Sequence, residues 1–388
     1  MKKYFLFLIL ITIVPTIAKT QTSFVKTQGS KFVLNNEEII FKGAGQWPTA
    51  GWTADTYSKL ASIGFNCVRL YINASNATIA NPDNIIPGFS TIDNQIAMAK
   101  QNGMKVILNV HHSPGSGGEI SDRGFFTNPD RQERLAAFWK FVAKRYKNEP
   151  TVAGFDIINE PTVKVTPAVS PYRCDGTPYL CYFENYQKII QKITDVIREV
   201  NTTHIIIVER LWIDGGHYSF GIHDQRDCWQ NYDGKFNFPD INDPANNYAY
   251  TYHCYEPNTW IHQGTGNKVY PSDAIARYNE TDPATNQPWI MNKSYLDYAY
   301  SVPLNYIREI KNVPAYIGEM GILPSNYTNN NAGINRGGAQ YVEDLYDILL
   351  GKYKVSNSWH PYNINEFHPD MNPDHEAAFR KAFGTTEN

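Results

Sequence analysis

Lys105-Val-Ile-Leu-Asn-Val-His-His112 is a near-continuous apolar run closed by two histidines, and Val152-Ala-Gly-Phe-Asp-Ile-Ile-Asn-Glu160 is a second, closed by Asn and Glu. Between them Asn128 and Pro129 open a helix through about Tyr146. An Asn side chain accepts a free N–H of the first helical turn, and Pro is tolerated at the first helical position. Strands apolar on both faces belong to parallel sheets buried on both sides. Two such strands joined by a helix make a right-handed crossover unit. Working outward, the alternation repeats, with strands predicted at Ile39–Gly45, Cys67–Asn73, His204–Glu209, Tyr248–Tyr255, Ala315–Met320 and Val355–Tyr362. Gly64 and Gly103 stand as helix stops just before strands. A further helix over Phe183–Val200 carries Ile189, Ile190, Ile193, Val196, Ile197 and Val200 on one face. Eight such units in the α/β class close as a (β/α)8 TIM barrel.

Before the first barrel strand, Phe24–Lys26 and Lys31–Leu34 flank Gln28-Gly29-Ser30 as a small β-hairpin, placed to plug the barrel bottom. The long connections 162–182, 211–247 and 258–294 are rich in Gly, Asn, Pro and aromatics and belong to the loops where barrels build their sites. A chain of 388 residues with no Ser/Thr/Pro-rich linker is expected to hold one catalytic domain over 19–388. Residues 1–18 read as a signal peptide: Lys2 and Lys3, the apolar stretch Tyr4–Val14, then Thr16-Ile17-Ala18 as cleavage pattern. The apolar run is shorter than the ~20 residues that span a bilayer. The mature chain is therefore expected to be exported, secreted or periplasmic, with no membrane contact after cleavage near Ala18.

A net charge of −3 gives no footprint for nucleic acid. The 14% aromatic fraction, with 26 Tyr and 8 Trp, asks instead what so many flat faces contact. Of the five cysteines, Cys174 and Cys181 in one loop are the expected bridge, and Cys67 in an apolar strand reads as a buried thiol. No Cys-x-x-Cys is present to suggest structural zinc.

Two carboxylates fall at strand ends. Glu160 closes the fourth, before Pro161, and Glu319 closes the seventh in Tyr316-Ile-Gly-Glu319-Met-Gly321. Barrel active sites lie at that end of the strands, and strands four and seven face each other across the mouth. Facing carboxylates can divide the cleavage of a glycosidic bond, one giving a proton to the leaving oxygen while the other attacks the anomeric carbon. Asp156, one layer below Glu160, reads as structural. Trp47, Trp212, Trp229 and Trp260 lie in candidate loops, where together they suggest an aromatic-lined cleft.

These residues resemble glycoside hydrolase family 5, the cellulase-type retaining enzymes of the large (β/α)8 clan, over essentially the whole mature chain. The resemblance implies supporting roles for Arg69 on strand two and His111 on strand three. It implies Glu160 as the acid/base with Asn159 beside it to bond the sugar 2-hydroxyl, His253 and Tyr255 on strand six, and Glu319 as nucleophile. It also implies Trp359 on strand eight, which is either core or, as the better fit at a barrel mouth, a stacking ring. His112 is either a substrate contact or a packed side chain, and Trp47 joins the substrate-binding set. No cofactor or metal is called for. The stretch Tyr255-Glu-Pro-Asn-Thr-Trp-Ile-His262-Gln-Gly264 is similar to a loop of cellulase-like members and points to an endo-acting enzyme on β-1,4-glucan. β-Mannan, xyloglucan and β-1,3-glucan remain open on the same scaffold, and the chain is expected to act as a monomer.

Two other classes compete. A catalytically silent carbohydrate-binding barrel would keep the aromatic cleft but lose a carboxylate, and both are present. A metal-dependent hydrolase is suggested by His111, His112, His217, His253 and His262, yet strand one offers no His-x-His and no set of carboxylates accompanies them.

Overall fold

The computed structural model describes residues 23–116, 125–126, 128–164, 178–214, 238–261, 267–276, 281–323, 328–329, 334–360 and 373–386. The expected signal peptide, Cys174, His217, Trp229 and His262 lie outside the described residues, and the side chain of Cys181 is likewise not described. Eight strands form a closed parallel barrel: Lys42–Gln46, Cys67–Asn73, Lys105–His112, Val152–Asp156, Ile205–Glu209, Tyr248–His253, Ala315–Met320 and Ser356–Trp359. Each pairs with the strands before and after it in sequence, and strand eight returns to strand one through Asn357 opposite Lys42. Strands two, three and seven match their predicted bounds. Strand four is regular only to Asp156 rather than Glu160. Its backbone still bonds strand three through the Asn159 N–H to Val110 O at 2.9 Å and leaves the sheet at Glu160, whose backbone is left-handed, φ +40°.

Helices pack around the barrel, among them Ala54–Ile63, Phe89–Gln101, Pro129–Arg145, Pro178–Arg198, Lys293–Asn305, Gly338–Tyr346 and Pro373–Phe383. The Asn128 side chain accepts the Arg131 N–H, as its position before Pro129 predicts. The helix predicted from Phe183 starts five residues earlier, at Pro178, where the fixed φ of proline suits a first turn. Among the described residues no helix is long and apolar enough to cross a membrane.

The N-terminal hairpin pairs Lys26–Gln28 with Lys31–Leu34 and adds a third short strand, Glu37–Glu38. Its Val25 and Phe32 join Phe41, Cys67, Ile107, Ile205, Ile207, Ala249 and Tyr316 in an apolar cluster of their own. That cluster fills the barrel floor. Cys67 is a free, fully buried thiol in it, and the other face of the strands meets the helices in the larger core.

Candidate active site

Alternation along the strands carries side chains from floor to mouth. On strand two Cys67 lies in the floor cluster, Arg69 above it and Tyr71 higher still. The Tyr71 hydroxyl reaches His360 Nδ1 at 2.8 Å, passing over Gly45. A Cβ at Gly45 would sit 1.9 Å from that hydroxyl, so only glycine admits it. On strand seven the pairing register slips, with Ile317 opposite Tyr252 but Glu319 opposite His253. The extra residue is Gly318, whose missing side chain leaves room for the His253 ring. Such a bulge re-aims the side chain that follows it, and here it turns Glu319 toward the barrel axis.

Arg69 is fully buried and forks to three partners. Its Nε donates to Asp156 at 2.8 Å, one terminal nitrogen to Glu319 Oε1 at 2.6 Å and the other to Asn159 Oδ1 at 2.9 Å. The second oxygen of Glu319 accepts the Tyr255 hydroxyl at 2.7 Å. His253 Nδ1 lies 2.8 Å from Glu160 Oε1 and 3.6 Å from Glu319 Oε2. His111 sits 3.8 Å from Glu319, with its ring over Tyr71. Half-buried Trp47 lies against His111, His112 and Tyr71 at ring separations of 4.7, 5.1 and 5.5 Å. Nine of the ten expected site residues are thus brought to one end of the barrel.

The tenth is not. Trp359 is fully buried and turned into the helix layer, against Tyr346, His375 and Phe379. Ser356 and Ser358 share the inward side of strand eight, so residue 359 must point outward and His360 takes the mouth position. His360 Nδ1 lies 3.7 Å from Glu319 Oε2. Trp260 is also core, packed on Tyr270 and Tyr341. Trp212 is buried beside the mouth, its indole N–H bonded to Glu209. Asp156 is fully buried below Glu160, where its parity places it. His360 and Glu209 were not anticipated. Strand-eight alternation predicts the first, and a carboxylate closing the apolar run Ile205-Ile-Ile-Val-Glu209 signals the second.

The electrostatics divide the groups. Burial alone would raise Glu319, but His253, His360, Arg69 and His111 around it hold its carboxyl well below the usual range. Burial disfavours a charged His253, yet Glu209, Glu319 and Glu160 outweigh it and raise the imidazole to about 9. Burial pushes His111 well below its ordinary value, against the pull of Glu319. Glu160 is the more open carboxyl, 15% exposed against 5% for Glu319. Its φ of +40° costs about 1–3 kcal/mol for a non-glycine residue. Strain of that kind persists only where surrounding contacts over-determine it.

A carboxyl oxygen of Glu160, one of Glu319 and a ring nitrogen of His253 all lie within 4.8 Å of one another. A divalent ion accepts such spacing. Here, however, Arg69 already lies on Glu319 and His253 itself carries charge, so a metal would be a third cation in one small volume. The arrangement suits proton transfer and attack by an ionised carboxylate instead.

Comparison with known proteins gives the family. Residues 25–365 match the family model described as Cellulase (glycosyl hydrolase family 5). An endoglucanase of Paenibacillus polymyxa is 27% identical over 287 residues, covering 68% of each chain. Endoglucanase C of Acetivibrio thermocellus is 26% identical over 291 residues, 68% of this chain and 72% of that one. Among solved structures, endoglucanase Cel5A of Thermotoga maritima superposes with a TM-score of 0.56 at 20% identity, covering 84% and 90% of the two chains.

Proposed function

This chain belongs to glycosyl hydrolase family 5, and from that premise we propose that it is an exported, retaining endo-β-glycanase that cleaves β-1,4-glucan. Glu319 is the nucleophile and Glu160 the acid/base, within one catalytic domain that follows a cleaved leader. The observation that carries this reading is the closeness of the two carboxyl groups, with oxygens within 4.8 Å. Retaining glycosidases hold theirs about 5–5.5 Å apart, whereas inverting ones leave roughly 6.5–9.5 Å for a water.

In the first step Glu319, kept ionised by Arg69 and oriented by the Tyr255 hydroxyl, attacks the anomeric carbon. Glu160 protonates the departing oxygen as that bond breaks. In the second, Glu160 takes a proton from water, which attacks the same carbon and releases Glu319. Two inversions return the β-configuration. Asn159, fixed by Arg69, can bond the sugar 2-hydroxyl, and half-buried Trp47, braced edge-on by Tyr71 and His111, offers its ring to a sugar. The substrate class is supported by the endoglucanase names of the curated relatives and by the Tyr255–Gly264 stretch. Export is supported by the basic start and the small-residue pattern ending at Ala18.

The test is direct. A 2-fluoro-cellobiosyl inactivator should label Glu319 in a peptide map, and azide should restore turnover of an activated aryl glycoside to Glu160→Ala with a β-configured product. Label on another residue, or an α-anomer seen first by proton NMR, overturns the assignment. A panel of soluble glucans, mannans, xyloglucan and β-1,3-glucans decides the substrate.

A further inference from the structure

Glu209, at the end of strand five, is fully buried at the floor of the cleft beneath Glu160. Its two oxygens serve different donors. Oε1 accepts the indole N–H of Trp212 at 2.7 Å. Oε2 accepts the backbone N–H of Glu160 at 2.8 Å and faces His253 Nε2 at 3.5 Å. The other ring nitrogen of His253 holds the Glu160 carboxyl, so Glu209 meets Glu160 from two sides, by its backbone and through His253.

The segment after Glu160 is clipped to the same place. The N–H of Trp212 donates to Pro161 O at 2.7 Å, and Thr162–Lys164 then runs parallel with Trp212–Asp214 as a two-stranded ribbon beyond the barrel. Glu160 therefore sits in its left-handed conformation between two bonds to the end of strand five, one from its own N–H and one to the following carbonyl.

We propose that Glu209 is a positioning residue that locks the backbone turn at Glu160 and fixes its carboxyl through His253, so that the acid is aimed at the leaving oxygen. The proposal rests on the reading of Glu160 as acid/base. It also explains the residue type. A carboxylate offers only acceptors, and the two donors that bond it, the indole N–H of Trp212 and the amide N–H of Glu160, each need one, while the His253 ring faces it at 3.5 Å. An amide in its place must turn its NH2 against one of those donors.

The measurement is kcat/KM across aryl β-cellobiosides whose phenol leaving groups span a wide range of acidity. It is made on wild type, Glu160→Ala and Glu209→Gln, each shown folded by its melt. A misaimed acid penalises poor leaving groups and spares good ones, whereas loss of folded protein lowers all of them equally. Glu209→Gln is expected to lose about 10- to 100-fold on the poorest leaving groups, part of the 10²–10⁴ that proton transfer contributes, and less than about threefold on dinitrophenol. If Glu160→Ala is steep in leaving-group acidity and Glu209→Gln runs parallel to wild type, the positioning role is overturned and the acid/base reading stands. If Glu160→Ala itself is not steep, the acid/base reading fails and takes this proposal with it. Should Glu209→Gln not fold, Glu209→Asp keeps the charge but withdraws the oxygen that holds the Glu160 N–H, and a wild-type slope there is equally fatal.

Discussion

Replacing Arg69 with Met deletes the one guanidinium that Asp156, Asn159 and Glu319 share while keeping most of the side-chain volume. All of these groups are at least 95% buried, so solvent cannot stand in for the lost charge. Removing one partner of a buried ion pair costs about 3–5 kcal/mol, which for a chain of this size lowers the melting temperature by roughly 4–6 °C. That loss should depend on pH in a defined sense. In the wild type Glu319 lies below its unfolded value, so its contribution to stability is present above about pH 4.3 and fades as pH falls through the folded value. Without Arg69, Glu319 rises from its depressed value, though His253 still holds it down, and Asp156 rises further, since burial already holds it above its ordinary value against Arg69. At neutral pH Asp156 then opposes folding and Glu319 stabilises it less, a deficit that disappears once both are protonated. Wild type and variant should therefore differ most near pH 7 and converge toward pH 4, and the acidic limb of kcat/KM should move to higher pH because the nucleophile must be ionised. Thermal melts run beside pH–rate profiles test both. Asp156→Asn serves as control: it removes a carboxylate but leaves Arg69 on Glu319, so its acidic limb should stay or move down. A folded Arg69→Met protein with an unchanged acidic limb, or a stability deficit independent of pH, refutes the reasoning.

Trp359→Ala should open a cavity among Tyr346, His375 and Phe379, at a cost of about 3–5 kcal/mol. In denaturant titrations it should behave as a core variant, with KM of the folded fraction near wild type. His360→Ala, removing a ring 3.7 Å from Glu319, should do the opposite, leaving the denaturation midpoint nearly unmoved while kcat/KM falls about tenfold or more. His253, raised to about 9, should remain an imidazolium through neutral pH in nitrogen-15 NMR. Because its folded value exceeds the unfolded one, its stabilisation is full below about pH 6.5 and is lost as pH rises through about 9. A midpoint near 6.5 contradicts the three-carboxylate environment described for it.

The barrel was legible because its signals are redundant. Buried parallel strands have no solvent face to interrupt them, so Lys105–His112 and Ala315–Met320 stand out as apolar runs, and the intervening helices announce their ends with Asn128-Pro129 and Gly64. The carboxylates were legible for the same reason, since each terminates such a run. Strand ends were harder to place. Glu160 leaves the ladder because its N–H is taken by Glu209, a residue 49 positions away that no local pattern reveals. The bulge at Gly318 is also a product of the sixth strand's packing. Trp359 was misplaced because resemblance outweighed alternation: the serines at 356 and 358 already mark which side of the strand faces in. Glu209 closes an apolar run just as Glu160 does, but its function depends on two hydrogen bonds that exist only once strands four, five and six are neighbours.

The contact of the Tyr71 hydroxyl with His360 over a bare Gly45 has a consequence for descent. Three residues on strands one, two and eight occupy a single volume, so none of them is free to drift alone. A lineage that gains a side chain at 45 must first lose the tyrosine at 71. One that enlarges 360 must shorten or retract its partner across the mouth. Changes at these three positions should therefore be inherited as sets, and chains sorted by the set they carry should fall into groups whose cleft floors differ in shape.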